Sequence, residues 1–154
     1  MADLEIRDIP QRLKEGILLA ERGGLDKAQT LFEGYLETHP DSALALSSAG
    51  MLRAAKDGAI HEGIEMCQEA ARRDPKEALC FLNLARGYLT AGDRFQCARA
   101  IHKGLKLRTP YRDFLTISYS SIGRRRNPPL RFLGRNNPLN NLLGKLSLRL
   151  GLKG

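Results

Sequence analysis

Tryptophan is absent from this chain of 154 residues, and aromatic residues make up only 6% of it. The length is that of about one domain, since domains commonly run to roughly 100 to 150 residues. Hydrophobic residues amount to 42%, which is enough for an elongated helical core. The shortage of large aromatic side chains argues against a large globular interior with a deep pocket.

Cysteine is also scarce, and long apolar runs are missing. Cys67, Cys80 and Cys97 are odd in number and lie in helix-patterned segments, so a disulfide framework is not expected. No uncharged apolar run approaches the roughly 18 residues of a membrane span. The N-terminal residues contain acids and no apolar core of a signal peptide. We therefore expect a cytoplasmic protein that is soluble or at most peripheral.

The residue patterns of common catalytic and metal sites are missing as well. His39, His61 and His102 do not stand at the i, i+4 spacing of metal-binding helices, and no CxxC pair occurs. The glycines at Gly23 and Gly24 lack the GK[ST] that a phosphate-binding loop requires. From the sequence we predict that the protein is not an enzyme and that it binds neither a cofactor nor a metal.

Acidic residues nearly disappear in the last third of the chain. Residues 1–107 hold 15 Lys and Arg against 16 Asp and Glu, a net charge of −1. Residues 108–154 hold 10 against Asp113 alone, a net charge of +9. The chain is therefore predicted to be a neutral body with a strongly basic extension.

What the body does contain is a repeat. Glycine recurs at Gly23, Gly58 and Gly92, at separations of 35 and 34 residues. Three further columns keep this spacing: Ala28, Gly63 and Cys97; Phe32, Cys67 and Ile101; and Tyr35, Ala70 and Gly104. Prolines close the units at Pro40, Pro75 and Pro110. A fixed period of this length indicates a stack of structural repeats.

Each unit has the pattern of two helices folded against each other. Between Leu25 and Glu37 the apolar residues recur at i, i+3, i+6/i+7 and i+10/i+11, on one face of a helix. Small residues at Ala28, Gly63 and Cys97 allow the two helix axes to approach. Proline stops each unit, and Asp93 is predicted to cap the helix that follows Gly92.

These residues resemble the tetratricopeptide repeat family. The resemblance covers residues 9–109 and rests on three sets, which are Gly16, Ala28, Phe32 and Pro40; Gly58, Ala70 and Pro75; and Leu84, Ala85, Tyr88 and Gly92. The second unit carries one extra residue before Gly58. The resemblance implies an all-α, right-handed α-solenoid of three helical hairpins, with repeats at about 9–41, 42–75 and 76–109. It also implies a concave groove that binds peptides or partner proteins.

In that family the first helix of each pair lines the groove. The resemblance therefore implies a partner-binding set made of Leu13, Ile17, Met51, Leu79, Asn83 and Arg86, with Ala20, Leu44, Ser47, Ala54 and Thr90 beside them. Asn83 stands where an amide often binds a ligand backbone, and Arg86 suits a carboxylate. The alternative is that Asn83 crosslinks neighbouring helices and Arg86 is solvated.

Beyond the repeats, residues 110–123 are predicted to form a capping helix that completes a domain at 1–123. Residues 124–154 form a basic extension, with a short amphipathic helix from Leu139 to Leu150. Its cations are Arg124, Arg125, Arg126, Arg131, Arg135, Lys145 and Arg149, followed by Lys153. Three roles stay open: an intramolecular cap, a docking element for a second protein or a second copy of this chain, and a contact with an anionic membrane or nucleic acid.

The prediction is thus a non-catalytic protein-interaction scaffold that holds a partner peptide or protein in its groove. The alternative is a peripheral adaptor that docks on an anionic membrane or nucleic acid through the basic extension.

Overall fold

Six helices make up most of the described part of the chain. The computed structural model describes residues 9–109, Arg112, Asp113, Thr116 and Ser120. The helices are α1 Gln11–Glu21, α2 Leu25–Thr38, α3 Ala43–Ala55, α4 Ile60–Arg73, α5 Ala78–Thr90 and α6 Arg94–Lys106. No strand occurs in these described residues. This confirms the predicted all-α fold. The repeat bounds 9–41, 42–75 and 76–109 stay a prediction, and each of these ranges contains two of the helices.

Glycine ends the first helix of each hairpin. Gly23, Gly58 and Gly92 have φ angles of 84°, 71° and 77°, a region that a side chain makes costly. After α5, the Gly92 N–H bonds the Leu89 carbonyl at 3.0 Å and the Asp93 N–H bonds the Tyr88 carbonyl at 2.9 Å. This pair of bonds is the Schellman arrangement, which satisfies the last carbonyls of the helix while the chain reverses. Each glycine of the column in the sequence therefore lies in a turn at which the chain reverses its direction.

The extra residue of the second unit lies in its turn. Four residues, 56–59, separate α3 from α4, whereas three separate α1 from α2 and α5 from α6. The bond that closes this wider turn runs from the Ala59 N–H to the Arg53 carbonyl at 3.2 Å. The insertion leaves α3 in step with α1 and α5, because it is absorbed after the helix ends.

Side-chain caps fix where three helices begin. Ser42 accepts the Ala45 N–H at the start of α3, and Glu77 accepts the Leu79 N–H at the start of α5. Asp93 accepts the Gln96 N–H at 3.0 Å, which confirms its predicted role as the cap of α6. Each cap satisfies one of the backbone donors that the first helical turn leaves free.

Small residues set the distance between the helices of a hairpin. A Cβ atom added at Gly50 would lie 2.7 Å from the Gly63 carbonyl oxygen and 2.8 Å from the Met66 Cβ. In the first hairpin, a Cβ at Gly16 would lie 2.6 Å from the ring of Phe32. The column of small residues predicted Gly63 as a point of close approach, and its partner Gly50 completes that contact. Backbone meets backbone here, which gives α3 and α4 close van der Waals packing.

The hairpins stack in two layers. The first helices touch one another in order, α1 on α3 and α3 on α5, and we call them the inner layer. The second helices, α2, α4 and α6, form the outer layer, and none of these three contacts the next one. The inner layer is therefore the closer-spaced, concave side, as expected of a solenoid of helical hairpins.

The structure describes only four residues of the elements predicted after residue 109. Arg112, Asp113, Thr116 and Ser120 are helical and exposed; the capping helix at 110–123 stays a prediction. The remaining residues of that segment, the basic extension 124–154 and its predicted amphipathic helix lie outside the described residues.

The contact between Gly50 and Gly63 gives a stability test. We expect Gly50→Ala to lower the free energy of unfolding by about 1–3 kcal/mol, because the added methyl group overlaps the backbone of α4. Gly34→Ala is the control, since a Cβ at Gly34 meets no atom within 4 Å. It should raise stability by up to about 1 kcal/mol through helix propensity. Urea unfolding measures both, and equal effects would contradict the packing.

Candidate functional site

The inner layer is where the predicted partner-binding residues lie, and the structure divides them into two groups. Leu13, Leu79 and Asn83 are only 1%, 3% and 6% exposed. Their side chains are part of the core, so the expectation that these three meet a partner needs correction. The reason is the packing of α1, α3 and α5 side by side, which closes over the residues at their seams. Ile17, Met51 and Arg86 keep part of their surface exposed.

Asn83 crosslinks two helices of the inner layer. Its amide nitrogen donates to the Ser47 hydroxyl at 3.1 Å and to the Ser48 hydroxyl at 3.2 Å, and both bonds are buried. Ser47 in turn donates to the Leu44 carbonyl at 3.0 Å, so its hydroxyl both donates and accepts. The alternative given for Asn83 from the sequence is therefore the one that the geometry supports. A buried and satisfied amide fixes the register of α5 on α3.

Arg86 reaches across the inner layer to the first hairpin. Its guanidinium Nη2 lies 2.7 Å from Glu21 Oε1, which joins α5 to α1 past the intervening α3. The Arg86 side chain is 25% exposed and that of Glu21 is 36% exposed. A pair this open to water contributes less than about 1 kcal/mol. Arg86 is thus not simply solvated, and it already holds a carboxylate on the concave side.

The charged pair is flanked by apolar surface. Ile17 on α1 and Met51 on α3 pack against the core while they remain partly exposed. Methionine adapts its shape to different contacts more readily than a branched side chain does. We define the inner face as Ile17, Glu21, Met51 and Arg86, a small apolar surface with one ion pair. Such a surface can bury an apolar side chain of a partner and pair with a charged one.

A cleft lies at the opposite end of the same helices. Its volume is about 390 Å³, and it opens where α1, α3 and α5 all begin. The lining residues are Ile9, Pro10, Leu13, Asp41, Ser42, Ala43, Leu44, Arg73, Asp74 and Glu77. Arg73 is bound to the Pro40 carbonyl at 3.0 Å and to Glu69. Burial raises the pKa of the Glu77 carboxyl, although its bond from the Leu79 N–H acts in the opposite direction. The cleft was not predicted, since it forms from chain segments far apart in sequence.

The three cysteines are free and buried. Burial raises the pKa of Cys67 and of Cys80 to about 12, and for Cys80 a hydrogen bond with Ser47 opposes that effect. Burial also raises the pKa of Cys97. The Cys67 thiol donates to the Ser47 carbonyl at 3.2 Å, which ties α4 to α3. These thiols serve as core residues, since a nucleophile or a metal ligand must be a thiolate.

Within the described residues, no three His, Cys, Asp or Glu side chains come together as a set of metal ligands. Of α1 to α6, none has both the length and the apolar character needed to cross a bilayer.

Comparison with known proteins supports the fold and no more. No family model matches the chain, and no curated protein matches it. Among solved structures 24 chains match. One is a monomeric mutant of IFIT1 with Gppp-AAAA, which is 18% identical and has a TM-score of 0.56 over 93% of this chain. The chain spans 34% of the length of that structure. At this identity the likeness shows the helical-repeat fold.

The buried thiols give a prediction on reactivity and pH. At about pH 8 we expect a thiol-exchange reagent to modify the native protein no faster than the protein unfolds, and to modify it at once in urea. The folded state holds Cys67 and Cys80 protonated, whereas the unfolded chain ionises them near the ordinary value of 9.0. Their contribution to stability is therefore complete below pH 9.0 and is lost as the pH rises towards about 12. Fast modification without urea would contradict the burial.

Proposed function

We propose that this chain is a protein-interaction module built of tetratricopeptide repeats, and that its inner face binds a segment of a partner protein. The observation that carries the proposal is the inner face itself. It combines the partly exposed Ile17 and Met51 with an Arg86 that already pairs with a carboxylate. Solenoids of this kind present extended concave surfaces to their partners.

The chemistry of the inner face indicates the kind of segment. One apolar side chain of the partner fits beside Met51, where burial contributes in proportion to the area removed from water. A carboxylate of the partner can then replace Glu21 on the Arg86 guanidinium, whose forked geometry suits bidentate binding. A segment that carries an apolar residue and an acidic residue near each other would satisfy both.

Affinity purification of the full chain with a charge-matched control tests the groove. The test variant is Met51→Glu with Arg86→Glu, which changes the charge of the inner face by −3. The control is Lys27→Glu with His61→Glu, which makes the same change on α2 and α4, where both side chains are exposed. We expect the test variant to lose partners by tenfold or more, which is about 1.4 kcal/mol, and the control to keep them.

Two further variants separate lost contacts from lost folding. Met51→Ala and Arg86→Gln remove the same groups without placing new acids beside Glu21. Arg86→Gln should weaken binding while the urea midpoint changes little, and Met51→Ala should weaken it in a protein that stays folded, although the lost packing lowers the midpoint. Partners that bind all of these variants as they bind the wild type would contradict the groove.

A second candidate function is that of a peripheral adaptor, and the division of charge favours it. Residues 108–154 carry +9 while the body is close to neutral, and strongly basic segments bind anionic surfaces. The structure of IFIT1 was solved with Gppp-AAAA, so one protein of similar fold has been seen with such a ligand. In this candidate Arg124 to Lys153 contact an anionic membrane or a nucleic acid.

A salt series tests that candidate on the full chain. Binding to anionic vesicles or to oligonucleotides should weaken as salt is added, because such contacts are screened and release counterions. Replacement of Arg124, Arg125 and Arg126 by Gln should weaken binding several-fold. Binding that is absent, or insensitive to salt and to these substitutions, would dispose of the candidate.

A further inference from the structure

The outer helix of the third hairpin carries an unusual stripe of side chains. Phe95, Arg99, His102, Lys103 and Lys106 follow one another at i, i+4, i+7, i+8 and i+11, so they share one side of α6. All five are exposed. Phe95 is 71% exposed and is the single exposed large hydrophobic residue of the part of the chain that is described. The stripe, which we call the α6 stripe, is about 16 Å long at 1.5 Å per residue.

The repeat itself does not require this composition. The same five columns on α2 hold Asp26, Thr30, Glu33, Gly34 and Glu37, and on α4 they hold His61, Glu65, Gln68, Glu69 and Arg72. With histidine neutral, the net charge of these columns is −3 on α2, −1 on α4 and +3 on α6. The three outer helices occupy equivalent places in the stack, yet these columns are acidic on α2 and α4 and basic on α6. The packing of the hairpins tolerates all three sets.

Helix electrostatics explain only part of the stripe. Lys103 and Lys106 lie in the last turn of α6, where cations are favoured by the helix dipole. That effect does not account for Arg99 in the middle of the helix, nor for Arg94, a cation in the first turn. The sequence from 94 to 109 contains no acidic residue to neutralise these charges. No acid within α6 therefore competes with an external anion for these cations.

The exposed ring is held in place on this surface. The Arg99 guanidinium lies 5.8 Å from the centre of the Phe95 ring, within the range of a cation–π contact. Because the Phe95 ring is exposed, it gains little stability from burial, and packing in the core does not explain its presence. A ring beside a guanidinium, followed by cations one and two turns further on, offers one flat apolar contact and a series of charge contacts.

Two kinds of polyanion fit a basic stripe, and the apolar part distinguishes them. Helices that lie in a membrane surface need a broad apolar face with several large side chains, whereas the α6 stripe has one. Single-stranded nucleic acids are bound by stacking of a base on an aromatic ring, combined with Lys and Arg along the phosphates. We propose that the α6 stripe binds single-stranded nucleic acid, with a base on Phe95 and phosphates on Arg99, Lys103 and Lys106.

This proposal is independent of the groove. The α6 stripe belongs to the outer layer, whereas the inner face is formed by α1, α3 and α5. It differs from the adaptor candidate too, since that candidate places binding on the basic extension after residue 123. Each of the three surfaces can be changed without altering the other two.

Fluorescence anisotropy on the full chain tests the proposal, with a labelled oligonucleotide of about 12 nucleotides as the probe, a length within the usual site sizes. Phe95→Leu keeps an apolar side chain and a good helix former but removes the ring, and it should weaken binding about tenfold. Lys103→Ala should weaken binding several-fold and reduce the salt slope by about 0.7, the value for one lost phosphate contact on a single strand. Lys27→Ala on α2 is the matched control and should bind as the wild type does.

Three outcomes would overturn the proposal. One is wild-type affinity of Phe95→Leu together with loss of binding when Arg124, Arg125 and Arg126 are replaced by Gln, since binding would then belong to the extension. Another is tight binding to phosphatidylserine vesicles by both the wild type and Phe95→Leu. The stripe would then bind membranes, because insertion into a bilayer needs an apolar side chain and not an aromatic ring. The third is equal competition by polyglutamate, which would show a general attraction to anions. Circular dichroism confirms that each variant is folded.

Discussion

Close packing of the two helices within a hairpin is the constraint on which the rest of the structure depends. Gly50 and Gly63 leave no room for a Cβ between α3 and α4, and Gly16 makes way for the Phe32 ring in the first hairpin. Because the two helices of a hairpin lie close together, successive hairpins can stack with their first helices in contact, α1 on α3 and α3 on α5. That stacking produces a continuous inner layer, and the one-residue insertion of the second unit is tolerated because it lies in a turn, away from the contact.

The same stacking decides which side chains are left for function. The seams between inner helices bury Leu13, Leu79 and Asn83, and Asn83 finds its hydrogen bonds in the core with Ser47 and Ser48. What remains on the concave side is a small apolar surface and a carboxylate on a guanidinium. The outer layer faces a weaker constraint, so its equivalent columns are free to become acidic on α2 and basic on α6.

Much of the fold was readable from the sequence, because spacing and turn chemistry are local. The glycine column predicted the reversals at Gly23, Gly58 and Gly92, and Asp93 was predicted as a cap. The site was less readable, because burial depends on neighbours that are distant in sequence. Nothing local distinguishes Asn83, which is buried, from Arg86, which reaches Glu21 on another hairpin. The stripe on α6 was in the sequence too, but the neutral sum over residues 1–107 concealed it.

The proposed function requires that the concave inner layer, and not the outer surface of the helices, meets the partner protein. Site-specific photocrosslinking measures this directly, with the photoreactive residue at Met51 in one protein and at His61 in another. We expect a crosslinked partner protein from position 51 that is not captured from position 61. The same partner captured equally from both positions, or from position 61 alone, would contradict it.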